Sequence, residues 1–271
     1  MPCEDATPRA GELTRYKSSD LTIVCNFPGL QNHRKWRHGQ SYGRGIVNNP
    51  WLDVPLADYE AHMAQPGIEQ AQLLSEIFAD AIEQFSPKSV AVLGCAGGNG
   101  FDRIPAGVSR VVGIDINPEY TARVKARFNG RFERLELIVG DIQDESIAFT
   151  PVELIFAGLI LEYVNVQTVV ARTRSLITAR GRLITAVQLP GAGSRQVSPS
   201  PYPSVQSLAD SMRLVSPLEL KKVAEANGYI QSESRTVVSA GSKQFQVQVF
   251  RAGRRTTRSA GRAGNRRARN F

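Results

Sequence analysis

Three clusters between Gly94 and Asp141 are of the kind that can hold an adenosine-containing ligand. Gly94-Cys95-Ala96-Gly97-Gly98-Asn99-Gly100 follows a short apolar run. Glycine at such a place allows a tight turn and close backbone approach to a ligand. The helix expected to follow would aim its free N–H groups at an anionic group such as a carboxylate or phosphate. Asp115 closes the next apolar run, 21 residues after Gly94, where a carboxylate can accept hydrogen bonds from two ribose hydroxyls. Asp141 closes the third run, placed to meet an exocyclic amine. Alone, a glycine cluster can be a plain turn and a strand-closing Asp a helix cap. Their order at three successive strand ends favours the ligand, because open α/β sheets bind ligands at the carboxyl ends of their strands.

The elements that must position these groups follow from hydrophobic patterning. Apolar residues at helical spacing run from Ile68 to Phe85, which predicts an amphipathic helix. Apolar runs at Ser89–Leu93, Arg110–Asp115, Leu135–Asp141, Val152–Ala157 and Arg182–Val187 read as strands buried on both faces. Helices are expected at Pro118–Phe128, capped by Asn117, and at Val166–Thr178. A further helix at Pro217–Asn227 starts after Ser216 and stops at Gly228. Tyr229–Val238 and Lys243–Arg251 flank Ala240-Gly241-Ser242 and predict a hairpin. The expected fold is a doubly wound, mostly parallel seven-stranded α/β sheet with an antiparallel C-terminal hairpin. The Pro- and Ser-rich stretch Leu189–Val215 is too long for an ordinary connection and is a candidate lid.

Charge divides the chain. Residues 251–271 hold eight Arg and no acid, residues 1–50 are net +3, and residues 51–250 are net −3. The high isoelectric point therefore belongs to the ends, and the folded body has no overall attraction for phosphate backbones. Residues 1–49 and 252–271 are expected to be disordered extensions around a domain at 50–251. Cys3, Cys25 and Cys95 match neither a closed disulfide set nor a zinc site, and no metal is expected. The absence of a long apolar run or a signal-like N-terminus leads to the expectation of a cytoplasmic protein without a membrane partner. Oligomeric state is not legible.

The glycines fall as G-x-x-G-G-x-G, with Ala96 where a dinucleotide-binding G-x-G-x-x-G would have its second glycine. The sequence instead resembles the class I S-adenosylmethionine (SAM)-dependent methyltransferases. The residues that carry the resemblance are Val90-Ala-Val-Leu-Gly-Cys-Ala-Gly-Gly-Asn-Gly, Val112-Gly-Ile-Asp-Ile-Asn, Val139-Gly-Asp-Ile, Ala157-Gly-Leu-Ile-Leu-Glu-Tyr-Val and Arg180-Gly-Arg-Leu. It covers about residues 50–251, and Asn49-Pro-Trp-Leu-Asp-Val-Pro-Leu-Ala-Asp-Tyr-Glu-Ala-His-Met looks like the N-terminal signature of one bacterial-type branch. The resemblance implies SAM as cofactor. It implies Gly94, Ala96 and Gly98 around the methionine part, Asp115 on ribose with Ile116 against adenine, Asp141 and Ile142 on adenine, and Ala157, Gly158 and Leu159 near the sulfonium. Two departures stand out: Val92 replaces an acidic residue common in the family, and Ala96 a common glycine.

Methyl transfer from a sulfonium needs alignment more than acid–base chemistry, so catalytic residues are weakly marked. Glu162, Tyr163 and His62 are the candidates for a base, and Tyr59 and His62 are expected to line the acceptor pocket. Ala157-Gly-Leu-Ile replaces the N/D-P-P-Y/F motif of amino-methyltransferases for DNA or glutamine, and Cys95 lies in the cofactor loop rather than where a cytosine C5 nucleophile would stand. A small-molecule acceptor is the expectation. A nucleic-acid-associated enzyme using the Arg-rich tail and a SAM-binding regulator without catalysis remain open alternatives.

Overall fold

A computed structural model describes residues 49–191 and 196–253; the terminal extensions read from the sequence fall almost entirely outside these residues. The chain begins with a 3₁₀ turn at Pro50–Leu52, then α1 (Leu56–Met63) and α2 (Gln70–Phe85). The alternating part is β1 (Ser89–Leu93), β2 (Arg110–Asp115), α3 (Pro118–Phe128), β3 (Arg134–Val139), β4 (Val152–Gly158), α4 (Val166–Leu176) and β5 (Ile177–Gln188). The helix expected after the glycine loop is absent: a single 3₁₀ turn, Phe101–Arg103, stands there, entered through left-handed Gly98 and Gly100. It closes with α5 (Pro203–Gln206), α6 (Pro217–Ala226), β6 (Tyr229–Val238) and β7 (Gln244–Ala252).

The seven strands form one sheet in the order β3-β2-β1-β4-β5-β7-β6. β1 to β5 pair in parallel, and β7 enters antiparallel between β5 and β6. Side chains alternate across the sheet, so each central strand supplies two cores. Ala91 and Leu93 of β1 face the layer of α4 and α6, whereas Val90 and Val92 face α2 and α3. Burying such aliphatic side chains contributes roughly 1.5–3 kcal/mol each, which explains why four of the five predicted double-sided runs became inner strands; the fifth, β3, is the edge strand and only partly buried, because no strand pairs with its outer side.

Local signals set the helix ends. Asn117 Oδ1 accepts the Glu119 N–H at 2.9 Å, and Ser216 Oγ accepts the Glu219 N–H at 3.4 Å, both N-caps. α2 starts later than the apolar spacing suggests, because Gly67 and Glu69 take left-handed conformations, φ +80° and +48°, and turn the chain first. α4 stops at Leu176 and β5 follows at once, five residues before the expected Arg182. A register shift against β4 between Val152 and Leu154 absorbs this early start. β3 ends at Val139, so Asp141 lies in the following loop rather than on the strand. Segment 196–215 is not a bare loop. Val197, Val205, Leu208 and Met212 bury themselves with Val54 against Trp51, Tyr59 and Tyr163.

The order β3-β2-β1-β4 means that the chain leaves β1 in one direction and returns to its other side at β4. At this switch point the loops after neighbouring strands diverge and leave a crevice at the strand carboxyl ends.

Candidate active site

A cleft partly open to solvent occupies that crevice. Of the residues expected around a cofactor, Gly94, Ala96, Asp115, Ile116, Asp141, Ile142, Gly158 and Leu159 line it. Gly98 and Ala157 do not. Gly98 (φ +88°) lies where a Cβ would come within 2.6 Å of the Phe128 ring, and Ala157 is a core residue 1% exposed. Gly98 shapes the loop and Ala157 the core beneath the cleft.

Asp115 is the buried polar centre of the cleft. Its Oδ2 accepts the Ala96 N–H at 2.8 Å and its Oδ1 the Asn117 N–H at 2.9 Å. One carboxylate thus joins the loop after β1 to the loop after β2. Burial pushes its pKa up to about 6, against the lowering effect of the backbone N–H groups of Asn117, Ala96 and Ile116. Each carboxylate oxygen has further lone-pair capacity for a ligand hydroxyl. Asp141 Oδ1 accepts the Gln143 N–H at 2.9 Å, a local turn within the loop after β3.

Ala96 and Leu159, both lining residues, have φ of +45° and +56°. Left-handed backbone is costly for residues with a Cβ and gathers at functional sites. Ala96 therefore adopts a conformation that glycine would take without that cost. The Leu159 N–H is held by the Ala186 carbonyl at 2.9 Å.

Several lining residues carried no clear chemical signal in the sequence. Asn49, Trp51, Tyr120, Ile114, Gly140, Ile160 and Val164 complete the cleft with Tyr59 and Tyr163. The Trp51 ring meets Tyr59 edge-on at 5.5 Å and Tyr163 at 5.0 Å, and Tyr59 stacks on Tyr120 at 6.2 Å. The N-terminal segment is tied over the cleft by the Asn117 amide donating to the Trp51 carbonyl and the Tyr120 hydroxyl donating to the Val54 carbonyl, each at 2.9 Å. Asn117 was legible as a cap but not as this tether. Glu60 of α1 pairs with Arg127 of α3, and Arg127 also donates to the Gly97 carbonyl at 3.0 Å. α1 is thereby latched over the glycine loop.

The candidates for a base separate. Tyr163 lines the cleft, but burial raises its pKa, as it does that of Tyr59, so both phenols stay neutral. Glu162 and His62 are 1% and 4% exposed and do not line the cleft. Glu162 Oε1 accepts the Gln188 N–H at 2.7 Å, and burial pushes its pKa up to about 7. Tyr59 takes the expected lining position, and His62, one helical turn on, packs behind it. Cys95 is buried with its thiol pKa raised. Among the described residues no group of His, Cys, Asp and Glu could hold a metal ion, and no helix is long and apolar enough to cross a membrane.

The sheet order, the switch-point cleft and acidic residues at the end of β2 and just after β3 define a Rossmann-like α/β domain. Comparison with known proteins narrows this. Residues 91–185 match the family described as "Methyltransferase domain". A ribosomal protein L11 methyltransferase from Alteromonas mediterranea is 29% identical over 167 residues, 57% of this chain and 57% of that protein. The N-methyltransferase NodS from Bradyrhizobium japonicum, solved with S-adenosyl-L-homocysteine (SAH), superposes with a TM-score of 0.56 at 16% identity. That superposition covers 76% of this chain and 99% of NodS. The [4+2]-cyclase SpnF superposes with a TM-score of 0.57 at 13% identity, over 75% of this chain and 94% of its own. These structural likenesses speak for the fold alone, and the cyclase shows that the fold does not by itself dictate the reaction. Residues 91–185 match a methyltransferase domain, and the fold is that of class I, Rossmann-like methyltransferases, which take SAM as cofactor. The cleft offers features that SAM would use: a carboxylate for a diol and apolar walls at Ile114, Ile116 and Ile142 for a flat base.

Proposed function

We propose that this chain transfers the methyl group of SAM to a small-molecule acceptor that enters beside Leu159 and Tyr163. The observation that carries the acceptor class is the wall of Trp51, Tyr59, Leu159, Ile160, Tyr163 and Val164, which holds no charged side chain and whose aromatic residues are backed by Val197, Val205, Leu208 and Met212. Such an aromatic pocket suits a compact, largely apolar molecule.

In this reading Asp115 accepts hydrogen bonds from the ribose. Ile116 and Ile142 enclose the adenine, and Asp141 meets its amine. Gly94 and Ala96 offer backbone to the methionine part. SAM supplies a methyl group already activated on a sulfonium. The aromatic faces of Trp51, Tyr59 and Tyr163 favour a cation at that end. Alignment then supplies the rate, and an acceptor that is unprotonated at working pH requires no base from the protein.

Two other readings rest on separate observations. The name of the Alteromonas relative favours a ribosomal protein as acceptor. The eight Arg of residues 251–271 favour nucleic acid. One experiment distinguishes all three. Full-length protein and protein lacking residues 254–271 are incubated with methyl-labelled SAM and a metabolite extract, ribosomal protein L11 or RNA. Label on a small molecule, with or without the tail, is the expected result. Label on the ribosomal protein or on RNA alone overturns the small-molecule acceptor, and failure to bind SAM overturns the activity. A cytoplasmic location fits each of these acceptors.

A further inference from the structure

The sheet ends at β6, and among the described residues no strand pairs with its outer side. Inter-strand hydrogen bonds of an antiparallel pair alternate along the strand. Ser239, just past β6, donates its N–H to the Lys243 carbonyl at 2.9 Å. Counted back from there along the register with β7, Val237, Arg235 and Glu233 direct their backbone groups at β7. Ser234, Thr236 and Val238 therefore direct theirs outward. Such a row of open donors and acceptors is a template for another strand unless it is blunted.

The side chains along this edge are self-complementary. Glu233 and Arg235 flank Ser234 and turn to the α2 side of the sheet. There Glu233 Oε1 accepts from Gln84 at 2.8 Å, and Arg235 pairs with Asp80 at 3.1 Å. Ser234 and Thr236 turn to the other side, where both bond the Gln246 amide. Charges of one sign would blunt the edge, but these two are opposite and lie symmetrically about Ser234. Exposed apolar groups collect here too. Among the described residues the exposed large hydrophobic side chains are Leu52, Leu218, Ile230 and Val238, and the last two stand at the two ends of β6. The Pro217 carbonyl accepts from Gln248 at 3.1 Å, and Gln248 is the register partner of Ser234. The next residue, Leu218, 61% exposed, thus lies at the level of Ser234.

We propose that β6 is a homodimer interface, in which two copies of this chain pair antiparallel about Ser234 into one continuous sheet. A two-fold axis through that point makes Ser234 and its counterpart a doubly hydrogen-bonded pair. It sets Glu233 of each copy opposite Arg235 of the other, on one face. The contact is isologous and therefore closed. The bulge between Gln231 and Glu233 confines the strand pairing to the stretch around Ser234, and the apolar groups of α6 and the strand ends complete the contact. No cleft-lining residue comes from β6 or α6, so each copy keeps its cleft.

The test is sedimentation of full-length protein over a micromolar concentration series. Unmodified protein should sediment at twice the mass of one chain. Arg235→Glu sets acid against acid at both contacts, and Glu233→Arg sets base against base. Each variant should weaken the dimer by about tenfold or more, with SAH affinity unchanged. Mixing the two variants restores opposite charges at both contacts, so the mixture should dimerise about as tightly as the original. A dimer built on another surface would respond to neither variant nor to mixing. Residue-resolved hydrogen exchange on unmodified protein reads the same interface without any substitution. The outward N–H groups of Ser234 and Thr236 should become protected as concentration rises. A monomer throughout the series, a dimer unweakened in both variants, a mixture no tighter than either folded variant alone, or fast exchange at Ser234 in a dimer would overturn the proposal. If a variant fails to fold, exchange at Ser234 and Thr236 in the unmodified protein decides.

Discussion

Replacing Asp115 separates a carboxylate that serves the cofactor from one that merely caps a turn. The side chain accepts two backbone N–H groups, from Ala96 at 2.8 Å and Asn117 at 2.9 Å. In Asp115→Ala these donors lose their buried acceptor, at about 1–3 kcal/mol each, and the loops around the cleft loosen. The charge-assisted bonds to the ribose disappear as well, at about 1.5–3 kcal/mol, so SAM should bind about 10- to 200-fold more weakly. Asp115→Asn retains one acceptor oxygen and should lose less. The carboxyl pKa of about 6 adds a second signature. Only the ionised form accepts from both hydroxyls, and about one tenth is ionised at pH 5, so apparent affinity should fall about tenfold between pH 8 and pH 5. Unfolding does not account for such a loss. Asp115 titrates higher in the folded protein than its ordinary 3.8, so its own contribution to stability rises as pH falls from about 6 to about 4. Titration calorimetry with SAH, alongside thermal melting of each variant, reads these effects. A folded Asp115→Ala protein with SAH affinity within twofold of the original, or a flat pH profile, would refute the reasoning.

Glu162→Gln should stabilise the protein, chiefly above pH 7. The folded pKa of about 7 lies above the ordinary 4.5. The buried charge therefore costs stability as pH rises through that interval, up to about 3 kcal/mol; denaturant melts at pH 5 and pH 8.5 should show a gain at the higher pH only. Gly98→Ala should lower the melting temperature by several degrees, because it combines left-handed backbone with a 2.6 Å approach to Phe128. Its SAH affinity should change less than that of Asp115→Ala, and the reverse order would place Gly98 on the ligand. NADH should fail to displace SAH in a fluorescence competition, since Ala96 stands where a dinucleotide fingerprint has glycine; displacement at equal concentration would exclude the assignment of the loop.

What the sequence determined by itself was the part governed by short-range rules. Double-sided apolar runs can only be satisfied inside a covered sheet, so β1, β2 and β4 were legible, as was α3 with its Asn117 cap and Pro118 start. The Gly94 loop, Asp115 and Asp141 were legible because a ligand at strand ends needs those residue types at those places. Tertiary structure alone decided which strand edges meet, and hence that the loops after β1 and β4 share one cleft. It set α4 directly against β5, where the register shift at Val152 takes up residues that no local pattern marks. It brought Trp51, Tyr59, Tyr120 and Tyr163 together from three distant segments. It also turned Glu162 and His62 away from the cleft and buried both. Burial, pKa shifts and unpaired buried donors depend on everything that packs around a group. They become visible when Gln188, the β6–β7 turn and α1 converge, an adjacency that residues far apart in the chain do not announce.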